Sequence, residues 1–141
     1  MAAFNKFQDF VEQLGKGIHH LHAAGDTLKV YLSNTAPNAA SHAVKADLAE
    51  ITPEHGYPAG GTDSQNDYTE SGGTGMMTGT DIVFTASGGT VGPFRYAVLY
   101  NDTPTSPADP LVGWWDYGSS ITLQDGESFT VDFGASVLAL T

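Results

Sequence analysis

Apolar and polar residues alternate along residues 94–133, and this alternation predicts a run of β-strands. Four segments carry the pattern: Phe94–Tyr100, Leu111–Tyr117, Ile121–Leu123 and Ser128–Phe133. An Asp-Gly pair lies between the last two, within residues 124–127. Such a pair between alternating apolar runs is the strongest short-range signal for a β-hairpin. We therefore expect the last two segments to pair with each other across a tight turn.

The first of these predicted strands is apolar on both faces. One face would carry Phe94, Tyr96, Val98 and Tyr100. The other face would carry Arg95, Ala97 and Leu99. Two apolar faces are typical of a central strand that is covered on both sides.

The first 22 residues show a helical period instead. Apolar residues recur there at spacings of three and four, which predicts an amphipathic helix from about residue 3 to residue 14, with a frayed or bent continuation toward residue 22. Gly15 and Gly17 weaken the continuation, because glycine costs about 1 kcal/mol relative to alanine in a helix interior. The helix either packs on its own domain or forms a short coiled coil. Its apolar stripe consists of Phe4, Phe7, Val11, Leu14, Ile18 and Leu21, widened by Phe10.

The middle of the chain alternates between short regular segments and turn-rich stretches. Leu28–Leu32 and Asp81–Ala86 are predicted strands, and residues 43–50 form a predicted short helix. Residues 53–79 are rich in glycine and polar residues, so we expect a long surface loop, with short pairing near Tyr68 and Met76. A last strand is predicted at 137–140.

These elements predict one mainly β domain over residues 1–141. Closely spaced strands with glycine and proline turns are typical of an antiparallel β-sandwich or jelly roll, here with an N-terminal amphipathic helix. The helix would occupy residues 1–24 and the sandwich residues 27–141. The loop 101–110 contains three prolines, which should make it a stiff arm.

Composition excludes several function classes. The net charge is −11, and residues 46–141 contain only one cationic residue, Arg95, so the field repels phosphate backbones and direct nucleic-acid binding is not expected. The chain has no cysteine, which excludes thiolate catalysis and cysteine-based zinc sites. We find no apolar run of about 20 residues and no signal-peptide pattern, and we therefore expect synthesis in the cytoplasm and no membrane partner.

Three groups of side chains could carry chemistry, and each has a simpler interpretation. His19, His20 and His22 could bind a metal, but only the first and last would share a helix face. Asp63, Asn66 and Asp67 could bind calcium, although the spacing is not that of an EF-hand. The four acidic residues Asp116, Asp125, Glu127 and Asp132 fall on turns and predicted solvent-facing strand positions rather than as a catalytic pair. We expect no catalytic residue, metal or cofactor.

The two adjacent tryptophans, Trp114 and Trp115, should point to opposite faces of their strand. An exposed Trp115, on the same face as Tyr117, could stack on sugar rings. The simpler hypothesis places one tryptophan in the core and the other in a subunit interface, where tryptophan is over-represented.

Several stretches of the chain resemble small virion proteins of tailed bacteriophages. The stretches are Phe7–Leu14, Thr27–Pro37, Val91–Asp102 and Pro110–Gly118. In size and character the chain is most similar to a capsid decoration, or cement, protein. The resemblance implies a β-sandwich or jelly-roll body that assembles as a small oligomer on the outer capsid surface and stabilises the shell against internal DNA pressure. It implies no catalytic residue.

The resemblance and the residue patterns together give the expected partners. They are the major capsid protein and further copies of the chain, as a dimer or trimer, and the expected location is the virion. The candidate contacts are the loop 56–79, the arm 101–110 and the side chains Phe4, Phe7, Val11, Leu14, Tyr100, Trp114, Trp115 and Tyr117. Two alternatives remain open: a carbohydrate-binding module of a tail or fibre, and a tail-tube or head–tail joining subunit.

Overall fold

A computed structural model describes residues 2–141. The protein is mainly β, with 43% of residues in strands and 8% in helices. Its helices are all too short, within the described chain, to cross a lipid bilayer. In chain order the elements are β1 (Phe4–Lys6), α1 (Gln8–Gly15), β2 (Leu28–Ser33), a 3₁₀ turn (Lys45–Asp47), β3 (Thr62–Asp63), β4 (Asp67–Ser71), β5 (Thr74–Thr78), β6 (Ile82–Thr85), β7 (Val91–Asn101), β8 (Leu111–Leu123), β9 (Ser128–Val131) and β10 (Leu138–Leu140).

The strands form three antiparallel sheets. The largest has five strands in the order β1-β8-β7-β2-β3, so β7 is central, as its two apolar faces predicted. A three-stranded sheet has the order β10-β5-β4, and β6 pairs with β9 alone. The expectation of a mainly β, antiparallel fold with one helix near the N-terminus is confirmed.

Apolar side chains cover both faces of the five-stranded sheet. One face packs against the two smaller sheets and forms a large core, which we call the sandwich core. The opposite face carries a smaller cluster, the outer layer, which consists of Phe7, Tyr31, Leu48, Tyr96, Val98, Tyr100 and Leu111, with Trp114 packed against it.

The alternation predicted along β7 breaks near its start. The pairing with β8 shifts in register on both sides of Phe94, between Val91 and Phe94 and between Phe94 and Tyr96. Phe94 therefore faces the sandwich core, together with Leu99, while Tyr96 faces the outer layer. The prediction that Phe94 and Tyr96 share a face was wrong, because irregular pairing on both sides of Phe94 interrupts the regular side-chain alternation.

The predicted N-terminal helix is shorter than its apolar period indicated. Residues 4–6 form an edge strand on β8, and only Gln8–Gly15 are helical. The expected continuation toward residue 22 does not form, since Gly17 adopts a positive φ of 78° just after the last helical turn. The stripe is therefore not one helix face: Phe4 lies on a strand and Phe7 precedes the helix.

The predicted hairpin at residues 124–127 was wrong in its partners, although the turn itself forms. Glu127 N–H donates to the Gln124 carbonyl over 2.9 Å, as a tight turn requires. However, β9 pairs with β6, whereas β8 runs unbroken for 13 residues and pairs with β7 down to Leu123 opposite Val91. The Asp-Gly turn thus carries the chain from one sheet to another.

Two predictions in the middle of the chain needed correction. The helix expected over residues 43–50 is only the 3₁₀ turn. Within 53–79, β4 and β5 form a regular hairpin in which Tyr68 pairs with Met77, so the expected pairing is confirmed but the long loop is too coarse a description. The Tyr68 ring occupies the space where a side chain on Gly75 would lie, which explains why glycine suits that strand position.

Candidate interaction surfaces

Three of the eight candidate contact residues are buried in the interior of the protein. Phe7, Tyr100 and Trp115 are at most 3% exposed. Phe7 packs against Trp114 with ring centroids 4.6 Å apart, and Trp115 packs against Phe4 at 5.3 Å. These three residues are therefore not surface contacts in this fold, and the exposed Trp115 required by the sugar-stacking hypothesis is not present.

The other five candidates are more accessible to different degrees. Phe4, Leu14, Trp114 and Tyr117 are half-buried. Tyr117 packs edge-on against Phe129 at 4.8 Å, and burial raises the pKa of its hydroxyl to about 12. Val11 projects from the helix and is 54% exposed.

A buried set of polar contacts attaches residues 45–60 to the five-stranded sheet; we call it the Glu50 network. The Glu50 carboxylate accepts hydrogen bonds from the Tyr57 hydroxyl and the Gly60 N–H, both at 2.7 Å, and from the Lys45 ammonium at 3.0 Å. The Tyr57 hydroxyl in turn accepts from the N–H of Leu32 in β2 at 3.0 Å. The Lys45 ammonium lies 4.8 Å from the centre of the Tyr31 ring in the outer layer.

The tyrosines of this region are unsuited to proton transfer. Burial is the largest cause that raises the pKa of Tyr31, Tyr57 and Tyr100 well above the usual value, and nearby acidic charge raises it further. Each hydroxyl stays protonated at neutral pH and serves as a hydrogen-bond donor.

A second polar set, the His19 network, attaches residues 19–26 to the end of β7. The Asn101 side-chain amide lies 2.7 Å from an Asp26 carboxylate oxygen and 3.1 Å from Nδ1 of His19. Asn66 joins the same region, since its side chain bonds Leu21 and Asp26 carbonyls and the Leu28 N–H. Sequence reasoning singled out Asn66 only as a possible calcium ligand and did not single out Asn101, because nothing local indicates that their side chains bond distant backbone and carboxylate groups.

His19 is buried and neutral in this network. Burial lowers the pKa of its imidazole to about 4, although the Asp26 charge opposes that shift and His20 adds slightly to it. Its Nε2 atom is buried and has no hydrogen-bond partner within the described chain. Across residues 2–141 no group of three or more potential ligands is placed to hold a metal ion.

The proposed oxygen ligands for calcium are separated by their own local contacts. Asp63 accepts from the Gln65 N–H, and Asp67 accepts from Ala23 and Tyr68 N–H groups. Asn66 points into the His19 network. The three side chains do not converge.

The four acidic residues that could have suggested glycoside hydrolysis also form hydrogen bonds within the protein. Asp116 forms a two-point contact with Arg95 at 2.8 and 3.1 Å, which lowers the pKa of the Asp116 carboxyl. Asp125 accepts from the Gly88 N–H and Glu127 from the Gln124 N–H. These contacts organise turns and strand pairs.

A groove lies between two sheet edges, and we call it the edge groove. It has a volume of about 240 Å³ and is lined by Phe4, Lys6, Phe10, Leu138, Ala139 and Leu140. Three successive residues of β10 line it, which indicates that the strand presents its edge, since a strand face would present alternate residues. Leu140 also lines a neighbouring cavity of about 280 Å³ that contains His20, His22 and Tyr68.

Lys6 distinguishes the edge groove electrostatically. The chain's four other cationic residues each lie within salt-bridge distance of a carboxylate: Lys16, Lys29, Lys45 and Arg95. Lys6 is exposed and has no such partner among residues 2–141. On a chain with a net charge of −11, Lys6 therefore gives the edge groove a positive charge that no carboxylate of residues 2–141 contacts directly.

The cavities are small for a metabolite site. The edge groove and its neighbouring cavity have volumes of about 240 and 280 Å³, and a third cavity, lined in part by Asn34, Glu50 and Pro93, has about 230 Å³. All three are below the roughly 300–1,000 Å³ common for small-molecule pockets. Comparison with known proteins gives no further assignment: no protein-family model, curated protein or solved structure matches the chain.

Proposed function

We propose that this chain is a structural protein of a tailed-bacteriophage virion that binds the outer capsid surface and stabilises the shell as a decoration, or cement, protein. The sequence resemblance points to this class of protein. The observation that carries the proposal is that the buried and partly buried polar side chains form hydrogen bonds within the protein. Glu50, Asp26 and Asn101 are all occupied in attaching loops to strands, while the edge groove and the exposed side chains of β4 remain accessible.

This arrangement suits a protein that acts by contact. A shell stabiliser needs surfaces that repeat identically over the capsid, so that many modest contacts sum to a stable lattice. The exposed strand β4 with the turn that follows it, and the edge groove, supply such surfaces. The arm 101–110 is held in place by a bridge between Val44 and Pro110 and by a 3.0 Å ion pair between Lys29 and Asp102, so it is a pre-organised contact rather than a loose one.

The sugar-binding alternative loses its main support in this fold. Trp115 lies in the sandwich core, and Trp114 is half-buried against Phe7. Neither indole forms an open stacking platform.

Cryo-electron microscopy of the virion that encodes this chain tests the proposal. We expect density for the chain in many copies on the outer capsid surface. Capsids that lack the gene should lose integrity at a lower temperature than complete capsids, and added purified protein should restore it. Density confined to a ring at the tail or head–tail joint would instead assign the chain to the joining or tail-tube class, and absence from the particle would overturn the proposal.

A further inference from the structure

The three-stranded sheet leaves both of its outer strands open to another strand. β10 pairs only with β5 on one side, and β4 pairs only with β5 on the other, within the described residues. The N–H and C=O groups on such edges form a template for strand addition. On β4 the Tyr68 N–H is the exception, since it donates to the Asp67 carboxylate at 2.8 Å. We propose that β4 of one copy of the chain adds to β10 of a second copy, within its edge groove, and joins the two sheets into one.

The shape of the β4 edge suits this role. β4 has five residues and its side chains are exposed apart from the half-buried Tyr68. The turn after it contains Gly72 and Gly73, and a Cβ built on either would meet nothing within 4 Å in residues 2–141. The turn of the hairpin is therefore exposed, and the outer edge of β4 next to it can approach a neighbouring copy.

Charge favours a second copy as the occupant of the groove. β4 carries Asp67 and Glu70, and neither lies within salt-bridge distance of a cation in the part of the chain that the structure describes. Asp67 accepts two backbone N–H groups and Glu70 accepts one from Gly73, so both carboxylates are fixed in position yet exposed. The groove on the other copy offers Lys6, the unpaired cation, which complements them.

The contact is head-to-tail, because two different surfaces meet. A head-to-tail contact generates a closed ring when its rotation closes and an open chain when it does not. The inference rests on the self-association included in the proposed function, and it identifies the two surfaces that would produce it. It does not depend on whether the assembly sits on a capsid.

A head-to-tail contact can be tested with two complementary variants. Lys6→Glu damages the groove and leaves β4 intact, whereas Glu70→Lys damages β4 and leaves the groove intact. Analytical ultracentrifugation of the wild type at about 1–200 μM should show species larger than the monomer, in amounts that rise with concentration. Each variant alone should be at least tenfold weaker in self-association. An equimolar mixture should associate again, because only contacts between unlike variants pair opposite charges: one joins the natural Glu70 and Lys6, and the other joins the two introduced side chains.

Matched controls separate this contact from general charge effects. Lys16→Glu makes the same change in net charge without touching the groove. Glu127→Lys removes a carboxylate that accepts a backbone N–H three residues away, as Glu70 does, but lies at the turn between β8 and β9. Both controls should self-associate like the wild type. Circular dichroism verifies that all four variants remain folded.

Hydrogen exchange on the wild type provides a readout that needs no variant. Amides in residues 67–71 and 138–140 should exchange more slowly at high than at low protein concentration, while those in residues 124–127 should not change. A wild type that stays monomeric to 200 μM overturns the inference, as does a mixture of variants that associates no better than each variant alone. Capsid binding by such a monomer would leave the proposed function standing, so the two failures are distinguishable.

Discussion

The two faces of the five-stranded sheet are covered in different ways. On one face, two regular sheets supply apolar side chains such as Met77, Phe84 and Val131, and the sandwich core is continuous. On the other face, an irregular segment covers a smaller cluster and is attached by the Glu50 network. Regular strands cover a sheet by burying area, whereas irregular chain needs specific polar attachments because its backbone groups cannot pair in a ladder. The first cover should depend on volume, and the second on individual hydrogen bonds.

The largest expected effect contrasts two buried leucines on opposite faces. Leu99 and Leu111 are both 0% exposed, the first in the sandwich core and the second in the outer layer. We expect Leu99→Ala to lower the free energy of unfolding by about 3–5 kcal/mol and Leu111→Ala by about 2–3 kcal/mol, as measured by urea denaturation. The irregular cover can settle toward the space that Leu111 leaves, while the paired sheets cannot. Equal losses would show that the two covers respond alike.

The His19 network gives the next largest effect, which depends on pH. Burial lowers the pKa of His19 to about 4 in the folded chain, against 6.5 when it is unperturbed. The unfolded chain therefore binds more protons between these values, and stability falls as the pH drops from about 6.5 to 4. The loss attributable to His19 should reach about 3 kcal/mol near pH 4.

A comparison of variants isolates this histidine from other titrating groups. The difference in unfolding free energy between the wild type and His19→Gln should shrink by about 3 kcal/mol from pH 7 to pH 4, because glutamine does not titrate. His22→Gln, at an exposed position, should follow the wild type across the range. A constant difference between the wild type and His19→Gln would mean that His19 is not buried neutral in solution.

Local sequence patterns predicted the elements better than their partners. The central position of β7 followed from two apolar faces, a property of the strand itself. The hairpin prediction was wrong because an Asp-Gly pair fixes a turn but not the strand that pairs next, and β6 competes for β9. The N-terminal spacing of Phe4 and Phe7 fits a helix as well as a strand followed by a helix, and only the pairing of Phe4 with Trp115 distinguishes them.

The polar attachments lay outside the reach of sequence patterns for a different reason. Asn101 meets Asp26 across 75 residues of chain, and Asn66 meets Leu21 across 45. Such contacts depend on topology, which no local signal encodes. The edge groove is similar, since Lys6 and β10 come from opposite ends of the chain.

The smallest effect tests whether a single hydrogen bond holds the irregular segment, which supplies Leu48 to the outer layer and the Tyr57 ring to the sandwich core. Tyr57→Phe removes the hydroxyl that donates to Glu50 and accepts from Leu32, and it leaves the Leu32 N–H without its acceptor on the side of β2 away from β7. We expect a loss of about 1–2 kcal/mol in unfolding free energy, because an unsatisfied buried donor costs its desolvation. Hydrogen exchange should also accelerate in residues 50–60 more than in β7.

Tyr68→Phe is the matched control for that change. The Tyr68 hydroxyl lies over Gly75 and makes no hydrogen bond to any described residue, so its removal should alter stability by less than about 0.5 kcal/mol. If the two variants lost equal stability, the hydrogen bonds of the Tyr57 hydroxyl would add nothing to the free energy of unfolding beyond what the Tyr68 hydroxyl contributes. The Glu50 network would then be a consequence of the irregular cover rather than its means of attachment, and the contrast between the two faces would reduce to a difference in core size.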